Sequence, residues 1–395
     1  MFLGVAGTGI AIGCTSDPDE SDGAGGQGGS GQGGGEPGGC DDAFAGGEYL
    51  GDVDFLDGGV PFHEKVDEGW DARLYFDLTT LSRDKLTATN DEFYIRTELP
   101  DLLDTAAPWE IQVHGLAQEA TLTLDDILPL VKPQGAHVLE CSGNGDGGAF
   151  GLMSAAEWAG APIEAVLDVL SIDAAATRVL ISGFDEHSVP SAGGHSTPGA
   201  SWIFTFDELI DAGAFLATEM NGEPLPPDHG APVRLYVPGW YGCTNIKWVD
   251  EIELVDEDAS STSQMREFAS RTHQDGTPML ARDFRPATMD QAAMPVRIEK
   301  WRLADGIAYR VVGILWGGQQ LTDALRISFD GGSNWESVDV CPSMESNQTW
   351  TLWEHLWRPA ATGTAAIQCA IDDPEISTNR LDLGWYDRAF TVEEL

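Results

Sequence analysis

In this 395-residue chain, the residue best placed to carry chemistry is Cys141. It lies in Leu139-Glu140-Cys141-Ser142-Gly143-Asn144-Gly145. The residues before it predict a strand over 136–140 that hands the cysteine to a glycine-rich turn. A sulfur at a strand end, among small neighbours, can meet something bound in a cleft, and the turn's N–H groups can face an anion. On local grounds three uses stand open: soft thiolate ligation of a transition metal, nucleophilic catalysis with a histidine base, and inert burial.

A second cluster runs from Asn221 to Trp248. A turn-rich stretch ends in Asp228-His229-Gly230, and Arg234 follows. Pro238-Gly239-Trp240-Tyr241-Gly242 then leads to Asn245-Ile246-Lys247-Trp248. The chain has only 21 Lys and Arg against 65 Asp and Glu, yet His229, Arg234 and Lys247 fall within 19 positions. Cations at strand ends beside glycine turns build a pocket for an anion or phosphate. A surface histidine with two ordinary salt bridges is the plain alternative; it suits Lys247 alone better than all three.

Together these segments resemble the sulfite oxidase family of molybdopterin-dependent oxidoreductases, in its haem-free bacterial type. The resemblance starts at Phe93-Tyr94-Ile95-Arg96 and passes through Glu140-Cys141-Ser142-Gly143-Asn144. It continues with Ala156-Glu157-Trp158-Ala159-Gly160 and Gly183-Phe184-Asp185, and is densest from Met220 to Trp248. It extends into the terminal sandwich through Ser328-Phe329-Asp330-Gly331-Gly332 and covers roughly 85–395. It implies that Cys141 binds molybdenum as a thiolate and that Arg96 serves substrate and cofactor. It also implies that Asp185, His229, Arg234, Asn245, Ile246 and Lys247 hold the pterin and its phosphate, with Tyr94, Ile95, Thr97 and Glu98 flanking Arg96. The implied activity is oxygen-atom transfer, sulfite to sulfate by default, with electrons passed singly to a haem protein such as a basic cytochrome c. The alternatives are reduction of a sulfoxide or oxyanion on the same scaffold, and a surface binding protein without turnover. A homodimer is implied through the terminal domain.

Three departures bear on the substrate. Thr97-Glu98 stands where the family commonly has Asn-His. Asp146 follows Gly145 where sulfite-oxidising members commonly carry arginine. Phe268 is the nearest candidate for a tyrosine usually found past the first domain. An acidic residue facing the metal would repel sulfite and predicts slow turnover, unless Arg271 or His273 supplies the missing donors.

The elements that must position these residues give an α+β chain: a mixed α/β molybdopterin-binding domain over 47–290, then an immunoglobulin-like β-sandwich over 291–395. Strands are expected at 109–115, 136–140, 178–182, 233–237 and 246–254. Short helices are expected over 122–131 and after Pro162, where Ile163, Val166, Leu167 and Leu170 share one face. From Pro295 the pattern is all strand, with Asp330-Gly331-Gly332 as a hairpin turn.

A net charge of −44 argues against nucleic acid and anionic lipid as partners and favours a basic protein. Residues 1–14 suit the apolar part of an export signal ending in a lipobox-like Ala-Ile-Gly-Cys. Residues 15–46 suit a Gly-rich disordered tether. The expectation is export to the periplasm or cell surface with a lipid on Cys14, the only membrane contact expected. No C-x-x-C pair supports zinc, iron–sulfur or c-type haem among the six cysteines. Export permits disulfides, and Cys341 with Cys369 is the one pairing considered, with Cys40 left exposed.

Overall fold

A computed structural model of the chain describes residues 40, 42–115, 119–170, 176–185, 187–189, 191 and 199–395. The expected export signal and lipobox, and most of the expected tether, lie outside these residues.

Strands dominate because the apolar pattern alternates almost everywhere. The sheet that carries the cysteine runs Glu223–Pro224, Phe215–Met220, Met153–Pro162, Lys132–Glu140, with Arg234–Tyr236 also paired to Phe215–Met220. Its close packing is visible at Gly160, where a Cβ would come within 2.4 Å of the Leu216 carbonyl oxygen. A second sheet runs Ala120–Thr123, Glu110–His114, Val249–Val255, Arg178–Gly183, Ser201–Thr205. A two-stranded ribbon, Arg73–Leu74 with Ile95–Arg96, completes the amino-terminal part.

The helices are shorter than expected. The helix expected over 122–131 is α-helical only at Leu124–Ile127, opened by a reciprocal Thr123–Asp126 cap, and tightens to a 3-10 turn at Leu128–Leu130. Pro129 causes the break, since it has no N–H to donate and clashes with the preceding turn. The helix after Pro162 is Ile163–Asp168, burying Ile163, Val166 and Leu167. Among the described residues no helix is long and apolar enough to cross a membrane.

The carboxy-terminal part holds two four-stranded antiparallel sheets. One runs Glu48–Val53, Ala292–Leu303, Gly306–Trp316, Thr351–Trp357. The other runs Glu336–Ser337, Leu325–Ser328, Gly363–Ile371, Arg388–Val392. The hairpin expected at 330–332 joins Leu325–Ser328 to Glu336–Ser337. Residues 48–53 correct the sequence reading: assigned there to the amino-terminal domain, they pair with 292–303 in the carboxy-terminal sheet. Residues 40–395 form one compact unit across the boundary expected at 290/291.

The cysteines need a further correction. Cys40 is bonded to Cys341, with Cα atoms 5.7 Å apart, and Cys369 is a buried free thiol. Phe44, four residues on, is buried against Trp301. Cys40 and Phe44, expected within the tether, are instead fixed to the carboxy-terminal part by a covalent bond and an aromatic contact.

Candidate cofactor and active site

The strand Lys132–Glu140 ends in four buried residues and passes directly into Cys141, which is 8% exposed. The backbone there is clamped. Cys141 N–H donates to the Leu152 carbonyl at 2.9 Å, and its own carbonyl accepts from Asn144 N–H at 2.9 Å. The Gly143 N–H points at the sulfur, 3.4 Å away. Gly242 lets a second loop approach: a Cβ there would sit 2.9 Å from the Tyr94 hydroxyl and 3.4 Å from Cys141 Cα. Between these loops lies a cleft of about 890 Å³, counting its open mouth.

Eleven of the twelve expected site residues line this cleft: Tyr94, Ile95, Arg96, Thr97, Cys141, Asp185, His229, Arg234, Asn245, Ile246 and Lys247. Glu98 does not. Its carboxylate turns outward to Lys65 at 2.5 Å and to the Gly69 N–H. Asn245 spends its side chain on the scaffold, accepting from Val237 N–H at 2.7 Å and donating to the Tyr241 carbonyl at 3.1 Å.

Sequence reasoning missed several residues in or near the wall. Arg73 is the cross-strand partner of Arg96, 23 positions away in sequence. Trp70, Gln264 and Glu267 line the cleft, as does Phe268, the candidate that the sequence offered at the tyrosine position. Burial, then the neighbouring Arg96, pushes Arg73 down to about 10, with the Cys141 sulfur opposing the shift. Burial likewise lowers Arg96, again opposed by Cys141 and Asp71. Two desolvated guanidiniums beside one sulfur make a site that favours negative charge.

Arg271 also lies close to the sulfur. Its Nη1 lies 3.3 Å from where a Gly143 Cβ would be, and that point is 3.9 Å from the Cys141 sulfur. Phe268, in place of the expected tyrosine, stacks under the Arg271 guanidinium at 5.5 Å. His273 instead pairs with Asp290 at 2.9 Å. Asp146 is exposed on the turn and lies outside the cleft wall.

At the other end the walls are basic and dry. Arg234 is buried and donates to the His229 carbonyl at 3.0 Å and the Asn245 carbonyl at 3.2 Å; its Nε has no partner among the described residues. Lys247 donates to the Asp228 carbonyl at 2.9 Å and to the Thr97 carbonyl. Burial, then Arg234, holds its ammonium well below the usual lysine range, with Asp228 and Asp185 opposing. Burial holds His229 down at about 4, so it is neutral near pH 7; its Nε2 lies 3.0 Å from the Asn90 carbonyl. Thr97, a β-branched residue, adopts φ 74° to offer that carbonyl to Lys247, a strained conformation of the kind that clusters at functional sites.

The turn after Cys141 is held from behind by the carboxy-terminal part. Glu140 is 1% exposed and accepts from the Tyr386 hydroxyl at 2.8 Å and the Trp316 indole at 3.1 Å, with Arg380 at 3.5 Å. Arg380 also donates to the carbonyls of Ser142 at 2.8 Å and Arg271 at 2.9 Å, and lies 4.1 Å over the Tyr241 ring.

The pocket fits the group that the resemblance implies. An orphaned buried guanidinium nitrogen beside a desolvated ammonium calls for an anionic ligand, and the thiol at the far end suits a soft metal.

Fold and pocket together define an oxidoreductase domain of the molybdopterin-binding class. The sequence profile described as "oxidoreductase molybdopterin binding domain" matches residues 97–263. Mouse (Mus musculus) mitochondrial sulfite oxidase is 28% identical over 318 residues, 72% of this chain and 56% of that protein. Arabidopsis thaliana sulfite oxidase is 28% identical, covering 62% of this chain and 68% of its own length. An Aspergillus niger NADPH nitrate reductase is 28% identical over 67% of this chain and 33% of its own length. The crystal structure of the sulfane dehydrogenase SoxCD from Paracoccus pantotrophus shares the fold, with TM-score 0.60, 16% identity and coverage of 87% and 86%. The chain thus belongs to the sulfite oxidase family of molybdopterin-dependent oxidoreductases. It spans about half the length of the mammalian sulfite oxidases it matches.

Proposed function

We propose that this protein is an exported molybdenum-cofactor oxidoreductase that oxidises a small sulfur oxyanion, by default sulfite to sulfate. The observation that carries the reading is the Cys141 sulfur in a cleft lined by Arg96, with Arg271 at the adjoining Gly143 turn, Arg73 paired to Arg96 across the ribbon, and a dry basic pocket beyond. When bound, the cofactor supplies two-electron redox chemistry and oxygen-atom transfer. Cys141 would ligate its metal, and His229, Arg234 and Lys247 would hold its phosphate end.

The protein's own residues account for the rest. The three arginines orient an oxyanion through charge-assisted hydrogen bonds in a site of low dielectric. The Tyr94 hydroxyl, pushed well above its ordinary range by burial, stays protonated as a neutral donor. Sulfite and water give sulfate, two protons and two electrons, and the electrons leave singly to a separate basic cytochrome. Export to the periplasm or cell surface is supported by the Cys40–Cys341 bridge, since such bonds persist in oxidising compartments. The two carboxy-terminal sheets are read as an immunoglobulin-like dimerisation domain.

Metal analysis paired with sulfite-dependent cytochrome c reduction tests the reading. One molybdenum per chain is expected, lost in Cys141→Ser with the circular dichroism spectrum retained. A Cys141→Ser protein that keeps its metal and full turnover sinks the assignment.

A further inference from the structure

We propose that the electron acceptor docks on a patch centred on Leu383 and Trp385, and that its occupant is a small basic haem protein. The proposal rests on the oxidoreductase reading above and adds where the partner binds. Both residues follow the short helix Asn379–Asp382, and both face solvent, Leu383 at 78% and Trp385 at 42%. Isolated apolar residues on a surface need no explanation, but here the exposed indole is tied to the reaction centre. Its N–H donates to the Asn144 carbonyl at 2.8 Å, and the Asn144 N–H in turn donates to the Cys141 carbonyl at 2.9 Å. A surface aromatic therefore stands two hydrogen bonds from the residue that carries the thiolate.

The rim is acidic. Asp382 adjoins Leu383 in sequence, and Asp146 adjoins Gly145, whose Cβ position lies 3.8 Å from the Trp385 ring. Both are exposed, and among the described residues neither pairs with a cation. An aromatic centre with a charged rim is the anatomy of a protein contact. Like charge over the rest of a surface of net charge −44 selects a basic occupant.

Each oxidised substrate releases two electrons and the partner's Fe(III) takes one, becoming Fe(II), so the patch must bind and release two acceptors per turnover. No bond forms between the proteins. A small contact steered by charge meets that demand for rapid exchange.

The test uses the cofactor-loaded full chain and mitochondrial cytochrome c as probe. Affinity is read by calorimetric titration at low and at physiological ionic strength, and turnover is read with cytochrome c and with ferricyanide, a small acceptor that needs no protein contact. Binding that weakens with salt is expected for the wild type. Asp382→Lys and Leu383→Ala should each weaken it about tenfold or more, with turnover on ferricyanide unchanged. Trp385→Ala should weaken binding at least as much. The paired Asp207→Lys and Asp211→Lys changes, in an acidic cleft elsewhere on the surface, should leave affinity intact. Patch variants that bind like wild type, or loss of binding in the Asp207 and Asp211 variant instead, overturn the location. A wild type that turns over ferricyanide but does not bind cytochrome c overturns the docking proposal alone. A wild type with no molybdenum-dependent turnover on ferricyanide overturns the oxidoreductase reading, a result distinct from the titration because binding needs no turnover.

Discussion

At the scale of single residues, what matters is how charge is arranged around one sulfur. Asp146, read in sequence as a threat to an anionic substrate, lies outside the cleft wall, and Arg271 reaches the turn beside the sulfur. With ferricyanide as acceptor, Arg271→Ala is therefore expected to raise KM for sulfite about ten- to a hundredfold, the worth of one charge-assisted hydrogen bond of about 1.5–3 kcal/mol, whereas Asp146→Arg should change steady-state turnover little. A large gain in Asp146→Arg would show that the acidic residue does face the substrate. His229 gives a pH signature. Burial depresses its folded pKa from an ordinary 6.5 to about 4, so the native state binds fewer protons than the unfolded chain between those values. Its contribution, roughly 3 kcal/mol, is present above about pH 6.5 and is lost as pH falls towards 4. Denaturant unfolding followed against pH should show this slope, and His229→Gln should flatten it. Cys141 and the run from His229 to Lys247 were legible because their chemistry sits within short stretches of chain. Arg73 was not: nothing local in Ala72-Arg73-Leu74 marks it, and only the ribbon pairing sets it beside Arg96.

At the scale of elements, close approach of strands and loops decides where the catalytic groups sit. Gly183 ends the strand Arg178–Gly183, and a Cβ there would lie 2.0 Å from the Lys247 carbonyl oxygen. Gly183→Ala must push the Lys247 segment aside, at a cost of about 1–3 kcal/mol, and the purified protein should hold less molybdenum. Full occupancy with unchanged stability would mean that the loop tolerates the shift. The brace behind Cys141 is a second such element. Tyr386→Phe removes a hydrogen bond to a buried carboxylate, worth about 1.5–3 kcal/mol. Arg380→Met leaves Glu140 without its cation and should cost about 3–5 kcal/mol in chemical denaturation. Equal unfolding midpoints for Arg380→Met and wild type would show that the Arg380–Glu140 pair contributes nothing to stability. Alternation made most strands legible, including those of the carboxy-terminal half. The helix after Thr123 was overextended because its apolar spacing continues past Pro129, where the backbone cannot.

At the scale of the molecule, distant parts of the chain are joined more tightly than the sequence suggested. Cys40 and Cys341 close a loop of 301 positions, a pairing invisible to spacing arguments because the partners share no local pattern. Cys341→Ser is expected to lower the unfolding free energy by about 2–5 kcal/mol and leave molybdenum content unchanged. Identical denaturation curves with and without reductant would mean that the bridge contributes nothing. The Glu140–Tyr386 contact spans 246 positions and has a consequence in time rather than in energy. A chain emerging from the ribosome exposes the Cys141 turn long before residues 380–386 exist to back it, and domains ordinarily fold in the order they appear. This turn cannot follow that order. The thiol remains on an unfinished surface until residues 380–386 have been made, so a molybdenum cofactor that needs a rigid seat is expected to enter only after they have folded against the turn.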